Sequence, residues 1–221
     1  WLDKDNSLWL GLFLKGALHY IPHLNRTVDY NLLSEEVSSG FCIIEDKNDH
    51  IWYGGPSGLF LIDKKKANSR PEKISSLRVF NLVQFNDSIL WAGTRKGSIF
   101  QINTHTLKVT SLPILPHTDL YITYIYPDSH QRIWIGTDNN GLYVSDRNGS
   151  IIAFYSKEQL GSNAIKGIIE DEMSNVWVGT GNGLCCINSQ TGSIDRYTTA
   201  DGLPINQFNY SSACKKPDGE L

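Results

Sequence analysis

The residues of this 221-residue chain that could do chemistry are few and scattered. His19 and His23 have the spacing that lets two imidazoles on one helix share a metal ion, but Pro22 between them forbids the helix. The pairs Glu45-Asp46 and Glu170-Asp171 have the make-up of a general acid beside a general base. The run Gly179-Thr180-Gly181-Asn182-Gly183 resembles a phosphate-cradling loop, yet β-prone segments flank it where such a loop leads into a helix. Cys42, Cys185, Cys186 and Cys214 have neither metal nor redox spacing, and neighbouring Cys185 and Cys186 point to opposite faces of a strand. Lys64-Lys65-Lys66 reads as a solvated turn. No nucleophile–base–acid set assembles from spacing alone, so no catalytic residue, metal ligand or cofactor is assigned.

The acidic pairs share one feature, a tryptophan a few residues downstream, and that tryptophan is periodic. Trp9, Trp52, Trp91, Trp134 and Trp177 follow one another at intervals of 43, 39, 43 and 43 residues. Two residues after each stands a glycine: Gly11, Gly54, Gly93, Gly136 and Gly179. A second glycine follows at Gly16, Gly58, Gly97, Gly141 and Gly183. An aspartate precedes the tryptophan at Asp3, Asp46, Asp128 and Asp171, and the third repeat has Phe85 in its place. A fixed period near forty is the mark of a repeat protein. A turn aspartate that recurs at one repeat position bonds its own backbone, which is a better account of the acidic pairs than acid–base work.

Each repeat holds four short β-prone runs joined by polar or glycine-rich turns. The fifth repeat shows it best: Ile165–Ile169, Val176–Val178, Leu184–Ile187 and Ile194–Thr198. The same frame places a fourth strand of the second repeat at Ile74–Phe80 and a first strand of the third at Leu82–Phe85. Four-stranded antiparallel meanders of roughly forty residues are propeller blades. The expected fold is therefore all-β, a β-propeller with about five blades near residues 1–40, 41–80, 81–116, 117–160 and 161–200. Residues 201–221 open a further blade. The tryptophan should fill the wedge between adjacent blades, with Trp9 more exposed than the others because its own blade lacks a first strand. The chain reads as part of a larger ring of seven blades. Pairing of Phe208–Cys214 with the first blade would instead close five, and in either case that segment should pair with a strand.

The segments IIEDKNDHIWYGGPSGLFLID, IYPDSHQRIWIGTDNNGLYVSD and IIEDEMSNVWVGTGNGLCCIN resemble the two-component regulator propeller repeat. TTADGLPINQFNYSSACKKPDGEL resembles the segment that opens that family's last blade. The chain departs from the pattern at Phe85, and at Leu12 and Gly55, where the other repeats have Thr94, Thr137 and Thr180. The resemblance implies the periplasmic part of a hybrid two-component sensor, with further blades and an immunoglobulin-like sandwich in the parent chain and a histidine kinase beyond a membrane helix. It also implies an oligosaccharide ligand and a homodimer, and a fragment that is not itself an enzyme. A protein-interaction scaffold and a propeller-fold lyase, of polysaccharide or streptogramin, are the alternatives on the same fold.

Composition agrees with a ligand of that kind. The 20 basic and 23 acidic residues give a net charge of −3, without the basic face that nucleic acid requires. No apolar run reaches the ~20 residues of a membrane helix, so no membrane contact by this chain is expected. In a propeller, the loops leading into first strands share a rim with the turns between second and third strands. The leading loops supply His117, Asp119, Tyr121, Asn163 and Asn206, and the turns supply Arg95, Asp138, Asn139 and Asn182. Amide, carboxylate, guanidinium and aromatic groups together are what a neutral sugar needs, hydrogen bonds for hydroxyls and a ring for its C–H face. His50 belongs to the opposite rim.

Overall fold

The computed structural model describes residues 1–12, 16–30, 40–66, 69–94, 96–112, 120–215 and 219. It is built almost wholly of antiparallel strands. Blade 1 has three, β1 (Leu8–Leu12), β2 (Gly16–Ile21) and β3 (Arg26–Asp29). Blade 2 comprises β4 (Cys42–Glu45), β5 (His50–Gly55), β6 (Gly58–Asp63) and β7 (Glu72–Ser75). Blade 3 comprises β8 (Val79–Asn86), β9 (Ile89–Thr94), β10 (Ile99–Asn103) and β11 (Val109–Leu112). Blade 4 comprises β12 (Ile122–Pro127), β13 (Ile133–Thr137), β14 (Leu142–Ser145) and β15 (Ile151–Tyr155). Blade 5 comprises β16 (Ile165–Glu170), β17 (Asn175–Thr180), β18 (Gly183–Asn188) and β19 (Ile194–Tyr197). Between blades 4 and 5 in the chain lies one helical turn, α1 (Lys157–Leu160), which Gly161 ends in the left-handed conformation. Strand order within every sheet follows the chain, as expected of meanders. The run expected as one strand at Ile74–Phe80 is two, because β7 stops at Ser75 and β8 begins at Val79.

The chain forms two compact units. The first holds blades 1 to 3 and the second holds blades 4 and 5. Within the first, Trp9 shares a core with Ile51, Tyr53, Phe60 and Ile62 of blade 2. Trp52 shares one with Val79, Leu90, Ala92 and Ile102 of blade 3. Within the second, Trp134 packs with Ile165, Ile168, Val176 and Val178 of blade 5. Each of these rings is therefore covered by the sheet that follows it, and each such burial contributes on the order of 3 kcal/mol.

That direction corrects the expectation for the two ends. Trp9 is 1% exposed, covered by blade 2 and stacked on His19 at 4.0 Å, so a missing first strand costs it nothing. Trp177, expected to be buried, is only half-buried. Its neighbour is not a sheet but the segment Phe208–Cys214. That segment forms no ladder with a strand. It lies on blade 5, tied by Phe208 N–H to the Thr180 carbonyl (3.2 Å) and by Ser211 N–H to the Lys166 carbonyl (2.9 Å).

The glycines after Trp52 and Trp134 are explained by the same stacking. A Cβ on Gly54 would lie 2.8 Å from the Val79 Cβ, and one on Gly136 would lie 2.9 Å from the Ile165 Cβ. Both neighbours belong to the first strand of the following sheet, so nothing larger than hydrogen fits.

Candidate functional site

The recurrent aspartates are structural. The Asp46 carboxylate accepts Asn48 N–H and His50 N–H at one oxygen, and Trp52 Nε1–H (2.9 Å) at the other. Asp3, Asp128 and Asp171 repeat this with Trp9, Trp134 and Trp177 at 2.9, 2.8 and 2.9 Å. The backbone bonds expected of a turn aspartate are present, and the bond to the tryptophan is an addition that sequence spacing alone did not reveal. The glutamate beside it has a different partner. Glu45 accepts Lys4 N–H of blade 1, and Glu170 accepts both N–H and Oγ–H of Ser129 in blade 4. Each acidic pair thus closes its own turn with one carboxylate and the preceding blade's turn with the other. Asp128, His130 and Glu170 have ligand atoms close enough to share a metal ion. The carboxylates of Asp128 and Glu170 are already occupied by donors from Arg132, Trp134 and Ser129.

Lys64 departs from the solvated-turn reading. Its ammonium reaches Asp3 (2.8 Å), Asp5 (2.6 Å) and Glu45 (3.0 Å), and its side chain is 13% exposed. Burial alone would raise the Asp3 carboxyl, but hydrogen bonds from Lys64, Ser7 and Trp9 overcome it and hold the group well below the usual carboxylate range. The same contacts raise Lys64 against the opposing effect of burial. His19 stands on β2 and His23 in a separate 3-10 turn, so the two do not converge.

In the second unit the expected rim residues come together through the backbone. Asp138 N–H donates to the Tyr121 carbonyl (2.9 Å), Gly141 N–H to the Asn163 carbonyl (2.9 Å) and Gly183 N–H to the Asn206 carbonyl (2.6 Å). Loops leading into first strands therefore lie against turns between second and third strands. Asn139 and Asn182 are exposed in those turns, and Asn182 Nδ2 approaches the Gly161 carbonyl at 3.4 Å. The Asn206 side chain instead caps Thr199 N–H (2.7 Å) and is spent on local structure. Arg95, His117 and Asp119 lie outside the described residues.

Two residues of this rim were missed. Lys166, the second residue of β16, is 8% exposed and places its ammonium 2.9 Å from Asp138 Oδ1. The Tyr210 ring lies over that ammonium at 3.7 Å, and the Tyr210 hydroxyl donates to the same Asp138 oxygen. Burial works against the charge on Lys166, but the bonds to Tyr210 and Asp138 prevail and raise its pKa. Tyr121 and Tyr210 are 49% and 55% exposed, the second with its ring at the charged pair and the first joined to Asp138 through its backbone carbonyl. A lysine inside an apolar strand was the available signal: Ile165-Lys166-Gly167-Ile168-Ile169 has one charge where core residues surround it.

Sheets of this kind, repeated with Trp9, Trp52 and Trp134 each sealed beneath the sheet that follows, define a β-propeller. The extracellular domain of a protein assigned as a hybrid two-component system from B. thetaiotaomicron has the same fold. It is 24% identical at a TM-score of 0.82, covering 99% of this chain and 31% of that one. A virginiamycin B lyase from Staphylococcus aureus matches at 16% identity and a TM-score of 0.73, over 89% of this chain and 68% of that one. In sequence, residues 117–139 match the two component regulator propeller family model. Histidine kinase P4 of Formosa agariphila is 26% identical over 64% of this chain, which spans 12% of that protein's length.

Proposed function

We propose that this chain is the ligand-sensing, extracytoplasmic part of a hybrid two-component sensor. It acts as a binding module, and its parent chain carries the histidine kinase. Support comes from the propeller repeat at 117–139, the histidine kinase relative and the fold shared with extracellular sensor domains. The ligand is an oligosaccharide, and it binds the rim of the second unit. The single observation that carries this is the Lys166–Asp138 pair, with Asp138 partly open to solvent, the Tyr210 ring over the ammonium and the exposed Tyr121 tied to Asp138 through its backbone carbonyl. A donor and an acceptor fixed side by side suit adjacent sugar hydroxyls, and the rings suit the C–H faces. Localisation in the periplasm and a homodimeric parent belong to the same reading.

Calorimetric titration of the protein with a broad panel of neutral oligosaccharides tests it. Asp138→Ala, Lys166→Met and Tyr121→Ala should each weaken binding about tenfold or more, the equivalent of one well-placed charge-assisted hydrogen bond or stacking contact. His50→Ala should leave it unchanged. A panel without a ligand overturns the oligosaccharide, and a His50→Ala defect with a silent Asp138→Ala overturns the rim.

A further inference from the structure

Within the first unit, a cavity of about 430 Å³ lies between blades 2 and 3, beside the turns that join their third strands to their fourth. That volume falls in the range of small-molecule sites, about 300–1,000 Å³. Strand pairing builds the blade 2 wall. His50 is opposite Asp63 and Leu61 is opposite Glu72, while Leu61 and Asp63 stand on the same side of β6. These four side chains therefore project from one face of blade 2 toward blade 3, where Leu107 lines the other side. Asp63 is matched by Lys66 at 3.3 Å. Arg70 and Glu72 also line the cavity, and neither makes a hydrogen bond or ion pair with a described residue. They stand two residues apart, the separation that puts side chains on one face of an extended chain, and Pro71 between them favours extended backbone at Arg70. His50 Nδ1 lies 3.1 Å from the buried Asp46 carboxylate, so that nitrogen carries a proton and Nε2 of the neutral ring is left to accept. Leu107 has a φ of 58°, the left-handed region that disfavours a residue with a Cβ. The matching turn of blade 5 has glycine there. Leu107 N–H donates to the Asn103 carbonyl (2.9 Å) as Gly192 N–H does to the Asn188 carbonyl (2.8 Å). Blade 3 keeps a leucine where glycine suits the backbone, and it joins Leu61 as an apolar floor to the cavity.

We propose that this cavity binds a free α-amino acid with an apolar side chain. Arg70 takes the carboxylate through its planar fork of donors. Glu72 and His50 Nε2 accept from the ammonium. The ligand's side chain lies on Leu61 and Leu107, the apolar part of a site whose polar groups fix orientation. Because Lys66 already matches Asp63, the unmatched charges of this wall are one cation and one anion. That balance selects a zwitterion over an ion of either sign. A lone carboxylate on Arg70 would face Glu72, and a lone amine on Glu72 would face Arg70, like charges that exclude the wrong ligand. The site is separate from the oligosaccharide rim and does not depend on it.

Calorimetric titration of the chain with L-leucine, L-isoleucine, L-methionine and L-phenylalanine tests the proposal. At least one should bind. Its analogues without the ammonium or without the carboxylate, for leucine isocaproate and isoamylamine, should bind about tenfold or more weaker, the loss expected of one charge-assisted contact. Arg70→Gln and Glu72→Gln should each weaken the amino acid to a similar extent. His50→Ala, which is to leave neutral sugars unaffected, should weaken it too. Leu107→Gly suits the backbone of its turn and should weaken binding through loss of the apolar floor. Lys65→Ala, in the same turn but outside the cavity, should change nothing. Silence from all of these amino acids overturns the proposal. So does a carboxylate analogue that binds as tightly as its amino acid, which would make this an anion site, and so does binding indifferent to both Arg70→Gln and Glu72→Gln. Each of those results leaves the oligosaccharide reading standing, since that is measured with neutral sugars and with variants of other residues.

Discussion

Trp91 differs from its counterparts at a single atom. Its ring is as buried as those of Trp52 and Trp134, but its Nε1–H finds no acceptor among the described residues, because Phe85 occupies the aspartate position. Phe85 packs on it instead, ring centroids 5.5 Å apart. The exchange also alters the turn: without a carboxylate to bind its N–H groups, β8 and β9 run on into a tight hairpin, with Asn86 paired to Ile89. A differential prediction follows. Trp52→Phe and Trp91→Phe lose similar volume, but only the first leaves a buried carboxylate short of a donor. Trp52→Phe should therefore be the more destabilising by about 1–3 kcal/mol, read from urea denaturation midpoints. Equal losses would mean that the indole bond contributes nothing net. The period, the tryptophan and the turn aspartate were all legible in the sequence. That the aspartate also accepts from the tryptophan was not, since six residues of separation span a turn whose geometry spacing does not specify.

Between elements, the staple at Lys64 joins the turns of blades 1 and 2 through Asp3, Asp5 and Glu45. Sequence reading placed this lysine in solvent because a run of three lysines usually lies there, and its neighbours Lys65 and Lys66 are indeed exposed. What it lacked was the approach of Asp3, sixty-one residues away, which only blade stacking supplies. Asp3 has its folded pKa lowered from 3.8, so its stabilisation is complete above that value and is lost as pH falls through the lowered one. Lys64 is raised from 10.5, so its contribution is complete below that value and is lost as pH rises through the raised one. Lys64→Met leaves buried carboxylates uncompensated and should cost roughly 3–5 kcal/mol at neutral pH. The gap between variant and wild type should narrow in acid, where protonation neutralises the stranded carboxylates. Denaturation series at neutral and acid pH measure it, and a gap independent of pH would deny the staple its electrostatic role.

At the scale of whole units, burial of a repeated tryptophan depends on the sheet after it and not on the completeness of its own. The fold was legible because the wedge residue and its glycine recur in phase. The direction of covering was not, because periodicity is the same read forward or backward. Trp134 is covered by all of blade 5, and Trp134→Ala should cost about 3–5 kcal/mol through the cavity it leaves. Trp177 has Phe208–Cys214 in place of a following sheet, and an apolar cavity of about 220 Å³ remains between Trp177, Leu184, Phe208 and Ala213. Trp177→Ala should therefore cost less than Trp134→Ala, by about 1–2 kcal/mol for the area that water already reaches. The same contrast should appear in light. With exposed Trp1 replaced by Phe, acrylamide should quench one slow-to-saturate class of indole fluorescence that Trp177→Phe abolishes. Phe208→Ala should enlarge that class, since the Phe208 ring lies against Gly179, where an added Cβ would stand 3.3 Å from it. Quenching unchanged by Phe208→Ala would mean that the segment does not cover Trp177 in solution, and the half-burial of that ring would need another cause.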